Sequence, residues 1–169
     1  MVVAQATADD AEAIAALHAE SWRSAYRGIL PDSFLDGPVF DERRALWTER
    51  MRAPGADRRF VCKAVGENGS LLGFACVLLD AEPEWGALLD NLHVRPDLKA
   101  TGIGYALFTA ARDWVRRVAP GTNMHLTVLE GNERARRFYE RQGGTIIATQ
   151  QVEVLPGVHR PVLRYSWKP

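Results

Sequence analysis

The 169-residue chain is short of several things that would direct a reading of function. It has only two cysteines, Cys62 and Cys76. Each sits in an apolar, strand-like run without C-x-x-C spacing or a nearby histidine pair, a pattern of buried reduced thiols rather than of a metal site. Neither sign of charge is in excess, since Lys plus Arg and Asp plus Glu number 21 each. Without a basic surplus, a nucleic-acid partner is not expected. No apolar run approaches the ~18–20 residues of a membrane span. The N-terminal MVVAQATADD lacks a basic region followed by an apolar stretch, so no signal peptide or membrane partner is expected and the chain reads as cytoplasmic. Repeats, low-complexity tracts and linkers are also missing, which makes residues 1–169 one domain, long enough to bury a full core.

What is present is an ordered alternation of periods. VVAQA reads as an opening strand, followed by Thr7 and Asp10 in a T-x-x-D capping pattern. Ala11, Ile14, Ala15, Leu17 and Trp22 then recur at helical spacing until Gly28 and Pro31 break the pattern. DERRALWTERMR reads as a second, charged helix closed at Pro54 and Gly55. RFVCKAV and LLGFACVLLD form a hairpin across GENGS, and WGALLDNLHV is a third strand stopped by Pro96. A helix with Ile103, Leu107, Ala110, Trp114 and Val118 on one face follows, then the strand MHLTVL. A short helix lies between Asn132 and a Gly stop, and two final strands turn at Pro156 and Gly157. The order implies a single mixed α/β (α+β) domain.

The most informative stretch is DLKATGIGYAL, where G-x-G falls between a strand and a helix. It is not a P-loop, and Leu107 stands where a dinucleotide fingerprint needs its third glycine. What remains is a run of N–H groups from Thr101 to Tyr105 at a helix N-terminus, with Lys99 at the loop mouth. Such a run attracts anions through unpaired donors and the helix dipole. Glycine at Gly102 and Gly104 would let a bulky pyrophosphate approach the backbone. A tight helix entry with no ligand is the plain alternative.

LDNLHVRPDLKATGIGYAL resembles the acetyl-coenzyme A motif of the GNAT superfamily of N-acetyltransferases, [QR]-x-x-G-x-[GA] after a strand ending hydrophobic-x-Val-x-Pro. Lys99 departs from it, standing where Gln or Arg is usual. LTVLEGNERARRFYERQGG is similar to the superfamily's second signature, N-x-x-A-x-x-[FL]-Y-x-x-x-G, with Gly144 where an aromatic is more usual. The resemblance covers most of the chain from Arg59 onward. It implies a GNAT-like fold: a central mixed, mostly antiparallel sheet of six to seven strands flanked by about four helices. It also implies acetyl transfer from acetyl-CoA to a primary amine, carried by a small molecule or a protein N-terminus, through a direct ternary complex.

The same resemblance implies roles for particular residues. The pyrophosphate would rest on the loop of Lys99, Ala100, Thr101, Gly102, Ile103, Gly104 and Tyr105. The pantetheine arm would run beside Leu92, His93 and Val94 and contact Asn132 and Ala135. Tyr139 would face the sulfur and donate its proton, although a tyrosine on the face it shares with Ala135, Phe138 and Gln142 also packs. Asp90 is the first candidate base, through a relaying water, with His93 and Glu20 as further candidates and structural roles open for each. Trp22 and Tyr26, four apart on one helical face, would either wall the acceptor pocket or anchor the helix to the sheet. Tyr165 and Trp167 are similarly open. Dimers are common among such relatives, so a homodimer is an expectation by analogy. A non-catalytic acyl-CoA-binding or sensor module is the competing reading.

Overall fold

Among the described residues, seven segments rich in β-branched and aromatic residues extend into strands: β1 (Val2–Gln5), β2 (Arg59–Val65), β3 (Leu71–Glu82), β4 (Gly86–Val94), β5 (Met124–Leu129), β6 (Thr145–Leu155) and β7 (Val158–Trp167). Five segments of the described residues coil into α-helices: α1 (Ala11–Ala25), α2 (Asp32–Leu35), α3 (Val39–Arg52), α4 (Ile103–Val118) and α5 (Glu133–Arg141). The computed structural model describes residues 1–53, 57–98 and 100–169. The expected stop of the second helix at Pro54 and Gly55, and Lys99, lie outside the described residues.

The local signals act as their chemistry requires. Asp10 Oδ2 accepts from the Thr7 N–H at 2.8 Å, closing the expected capping box ahead of α1. Asn132 Oδ1 accepts from the Ala135 N–H at 3.2 Å and so caps α5. α2, only four residues long, has no sequence periodicity of its own and was not expected; it starts immediately after Pro31.

The strands join in the order β1-β2-β3-β4-β5-β7-β6. Every neighbouring pair is antiparallel except β4 and β5, which are parallel and connected through α4. One face of the sheet is covered by α4 and α5. Ile103, Leu107, Phe108, Ala111, Trp114 and Val115 are buried there against Ala75, Leu126, Leu163 and Tyr165. Val118 lies on the same stripe but is the last residue of α4, and it is left 43% exposed. The opposite face is covered by α1 and α3, with Ile14, Leu17 and Trp47 packed on Val61, Phe74 and Cys76. Trp47 is fully buried, and its indole N–H is satisfied by His18 Nδ1 at 2.9 Å. Burial pushes both thiols up to about 12, which keeps them inert. Among the described residues, no helix is long and apolar enough to cross a membrane.

The unusual Gly144 has a packing cause. A Cβ there would lie 2.6 Å from Trp167 Cζ2 and 3.0 Å from the Tyr139 carbonyl oxygen. The Trp167 indole from β7 fills that space and donates to the Gln142 carbonyl at 3.0 Å. The aromatic group is therefore supplied by the last strand instead of by position 144. Gly144→Ala is expected to destabilise the fold by about 1–3 kcal/mol through overpacking. Urea unfolding measures it, and an unchanged midpoint would contradict the packing assignment.

Candidate active site

The site begins with a break in the sheet. Strands β4 and β5 pair only at Ala87↔Met124 and Leu88↔His125. Cys76 of β3 faces Asn91 while Val77 faces Leu89, so Asp90 is an extra residue, a bulge in β4. A bulge bends its strand and increases its twist. Here β4 leaves β5 from Leu89 onward, and a cleft of about 650 Å³ opens between the two strands. Leu89, Asp90, Leu92, His93 and Val94 contribute to one wall, and Leu126, Thr127 and Val128 to the other.

The bulge is held from α3. Arg50 Nη1 donates to Asp90 Oδ2 at 2.5 Å and to Asn91 Oδ1 at 2.9 Å. The guanidinium lies over the Trp47 ring, 5.2 Å from its centroid. This clamp has no signature in the sequence, because an arginine in a charged helix reads as a solvated side chain.

The glycine loop lies at the head of the cleft. Ala100 (φ 70°) and Gly102 (φ 87°) both adopt left-handed backbone, an uncommon conformation for alanine. Thr101 Oγ1 donates to the Leu98 carbonyl at 2.6 Å and tightens the turn. Gly102 caps α4, so the first amides of a sixteen-residue helix lie at the cleft. Ala100, Gly102, Gly104 and Tyr105 line it, while the Ile103 side chain is buried beneath. A Cβ at Gly104 would meet Phe138 and Val94 at ordinary contact distances of 3.6–3.7 Å. The protein's own packing therefore does not demand glycine at that position.

Helix α5 closes the cleft from the β5 side, bringing Asn132, Ala135, Phe138 and Tyr139 to it. Tyr139 is buried, with its ring against Phe138, Tyr165 and Trp167. Burial, with the Tyr26 hydroxyl nearby, pushes its phenol well above the ordinary tyrosine range. Tyr26, at the end of α1, hydrogen-bonds the Asn132 side chain across the cleft, and burial raises its phenol too.

The structure thus brings Asp90, Leu92, His93, Val94, the glycine loop, Asn132, Ala135, Tyr139 and Tyr26 to one cleft. Trp22 is not in its lining. Its ring packs on His18, Tyr26 and Phe34, with the Arg43 guanidinium 4.4 Å above it, in the small core beneath α2. Tyr165 and Trp167 are core residues of the α4 face. Sequence reasoning passed over Ser21 and Ser24 of α1, Thr127 of β5, and Arg134 and Arg141 of α5, all of which line the cleft. Nothing in their spacing marks them, because the cleft is assembled from segments distant in the chain.

The cleft thus lies between splayed strands, with a helix N-terminus at its head and a buried tyrosine at its side. The sequence profile of the acetyltransferase (GNAT) family matches residues 14–144, and the chain belongs to that family. It is similar to the uncharacterized N-acetyltransferase YuaI of Bacillus subtilis, 24% identical over 99% of this chain and 92% of that protein. Its fold matches the PaiA N-acetyltransferase of Thermoplasma acidophilum in complex with coenzyme A, with a TM-score of 0.78, 18% identity and 98% of each chain covered. It also matches YncA from Salmonella typhimurium, solved with acetyl-CoA, with a TM-score of 0.72, 20% identity, and 99% and 93% of the two chains covered.

Removing the clamp leaves a half-buried carboxylate without its partner. Arg50→Met is expected to cost about 1–3 kcal/mol of stability, and Asp90→Asn in the same chain to recover part of it. A double-mutant cycle in urea checks this; strictly additive losses would show that the pair does not hold the bulge.

Proposed function

We propose that the protein transfers the acetyl group of acetyl-CoA to a primary amine held at the α1 side of the cleft. Acetyl-CoA supplies an activated thioester, and the balanced outcome is an amide, the free thiol and one proton. The observation that carries this reading is the junction of a left-handed loop, a helix N-terminus and the unpaired edge of β4 along one continuous cleft.

Each part of the junction fits one part of the donor. Amides at the start of α4 suit a pyrophosphate, since they are unpaired donors at the positive end of a helix dipole. The open space above Gly102 and the slack around Gly104 leave room for phosphate oxygens at the backbone. Beyond Leu88, the edge of β4 that faces β5 is free of strand pairing and so can bond an extended amide-bearing arm as a further strand would. Arg134 and Arg141 add positive charge along the α5 wall.

The proton inventory of the cleft supports transfer as well as binding. Tyr139 holds its proton firmly because burial disfavours the phenolate. The same apolar surroundings disfavour a thiolate, so the Tyr139 hydroxyl is suited to protonating sulfur as it departs. Asp90, paired with Arg50, holds the bulge of β4 in place at the cleft wall.

Tyr139→Phe removes only the hydroxyl, and it is expected to cut kcat by about 10²-fold or more while leaving affinity for CoA within about twofold. Thiol release and calorimetry measure the two; a wild-type kcat would remove Tyr139 from the chemistry. Gly102→Ala forces a Cβ into left-handed backbone at a cost of about 1–2 kcal/mol, so CoA affinity should fall by roughly 5–30-fold. An unchanged Kd would mean that this loop does not bind the donor.

A further inference from the structure

We infer that the acceptor carries a carboxylate close to its amine, and that Arg43 of α3 is the residue that receives it. The inference rests on the acetyl-transfer reading above and narrows the acceptor to amino carboxylates, of which amino acids are the simplest.

The placement follows from helix spacing. Val39, Arg43, Trp47 and Arg50 recur at steps of four, four and three, so they share one face of α3. That face is the inner one, since Val39 and Trp47 are fully buried. Arg44, the next residue round, stays at the surface and pairs with Glu12. Two arginines therefore point inward. Arg50 is satisfied by Asp90 and Asn91. Arg43 is not satisfied. Its side chain is only 17% exposed, and its Nε is enclosed without a hydrogen-bond partner among the described residues. Its ion pair is loose, 3.7 Å from the half-exposed carboxylate of Glu42. The Trp22 ring, with its centroid 4.4 Å from the guanidinium carbon, attracts the charge but offers no oxygen to the N–H groups.

A buried guanidinium with unmet donors is destabilising. Burial pulls Arg43 below the ordinary arginine range, against the opposing effect of Glu42 and Asp90. A guanidinium keeps its proton even so, and what it lacks is an anion. The position for one is the α1 side of the cleft. Trp22 packs edge-on against Tyr26, with ring centroids 5.1 Å apart, and Tyr26 lines the cleft. The charge of Arg43 acts on both Tyr26 and Asp90 in the cleft wall.

The local charges set the class of ligand. Arg43 and Arg50 stand near one inner carboxylate, Asp90, and Arg50 already holds it. One positive charge remains, which matches a monoanion. A phosphate dianion would add a second negative charge beside Asp90, and a polyamine would bring only positive charge to Arg43. A planar carboxylate also fits the N–H edge of a guanidinium, which can bond both of its oxygens.

Three pairs of acceptors test this, each an amino carboxylate and the amine that lacks its carboxyl group: glycine and methylamine, β-alanine and ethylamine, phenylalanine and phenethylamine. For the best amino carboxylate, Arg43→Met should lower kcat/KM by about 10–100-fold, chiefly through a raised KM. The loss for the matching amine should stay within about threefold, which also shows that the variant is folded. Arg43→Lys, which keeps the charge without the fork, should fall in between. Equal losses within every pair, or a wild-type protein that acetylates the amines and none of the amino carboxylates, would overturn the inference and leave acetyl transfer standing. A readout without turnover decides the matter even where a variant does not fold. In 15N-arginine spectra of the wild-type protein saturated with CoA, the Arg43 Nε–H signal should move saturably with the best amino carboxylate and stay still with its amine. A signal unmoved by all three amino carboxylates overturns the inference. A wild-type protein that binds CoA but acetylates no member of any pair would overturn the acetyl-transfer reading, and the inference with it.

Discussion

Arg50 reaches from α3 to two consecutive residues of β4, and the cleft depends on what that contact holds in place. With the extra residue at Asp90, β4 parts from β5 after Leu88, and the room for a ligand opens between them. The bulge would otherwise leave a carboxylate and an amide poorly satisfied between a helix and a sheet. Arg50 satisfies both, and its flat face lies over Trp47, which is itself anchored to His18. A bent strand is thereby coupled to the packing of α1 and α3. That coupling explains how a local irregularity persists in an otherwise regular sheet.

The same arrangement sorts the proton chemistry of the cleft. Splaying the strands exposes the β4 backbone on one side and allows α5 to bring Tyr139 across on the other. Burial pushes both phenols, Tyr26 and Tyr139, toward holding their protons. The ion pair at Asp90 uses a carboxylate for position and field.

Much of this was legible in the chain before any coordinates. The capping residues, the Pro-terminated third strand, the glycine loop and the Asn-capped helix carry local signals, and each forms where its residues indicate. The two glycines read as a candidate anion site, and Phe138–Tyr139 with the preceding strand narrowed the resemblance to one family. The parts that were not legible depend on contacts distant in sequence. The bulge leaves no mark in DNLHV, because an extra residue is visible only against its partner strand. Arg50 meets Asp90 forty residues away, and Ser21 meets His93 across seventy-two. Trp22 and Tyr26 share a helical face, but only Tyr26 lies at the cleft, because α2 and Arg43 cover Trp22. Gly144 looked like a lapse in the pattern until Trp167 was seen to occupy the space.

The central claim is that the gap between β4 and β5, headed by the N-terminus of α4, is where the acyl donor lies. Amide NMR during titration with CoA tests it most directly. The account predicts that the largest shifts fall on Gly102 to Tyr105, on Leu89 to Val94, and on Thr127 to Ala135, with little change along β1, β2 and α3. Saturable binding with its largest shifts outside those three segments, or no shifts at all, would contradict it.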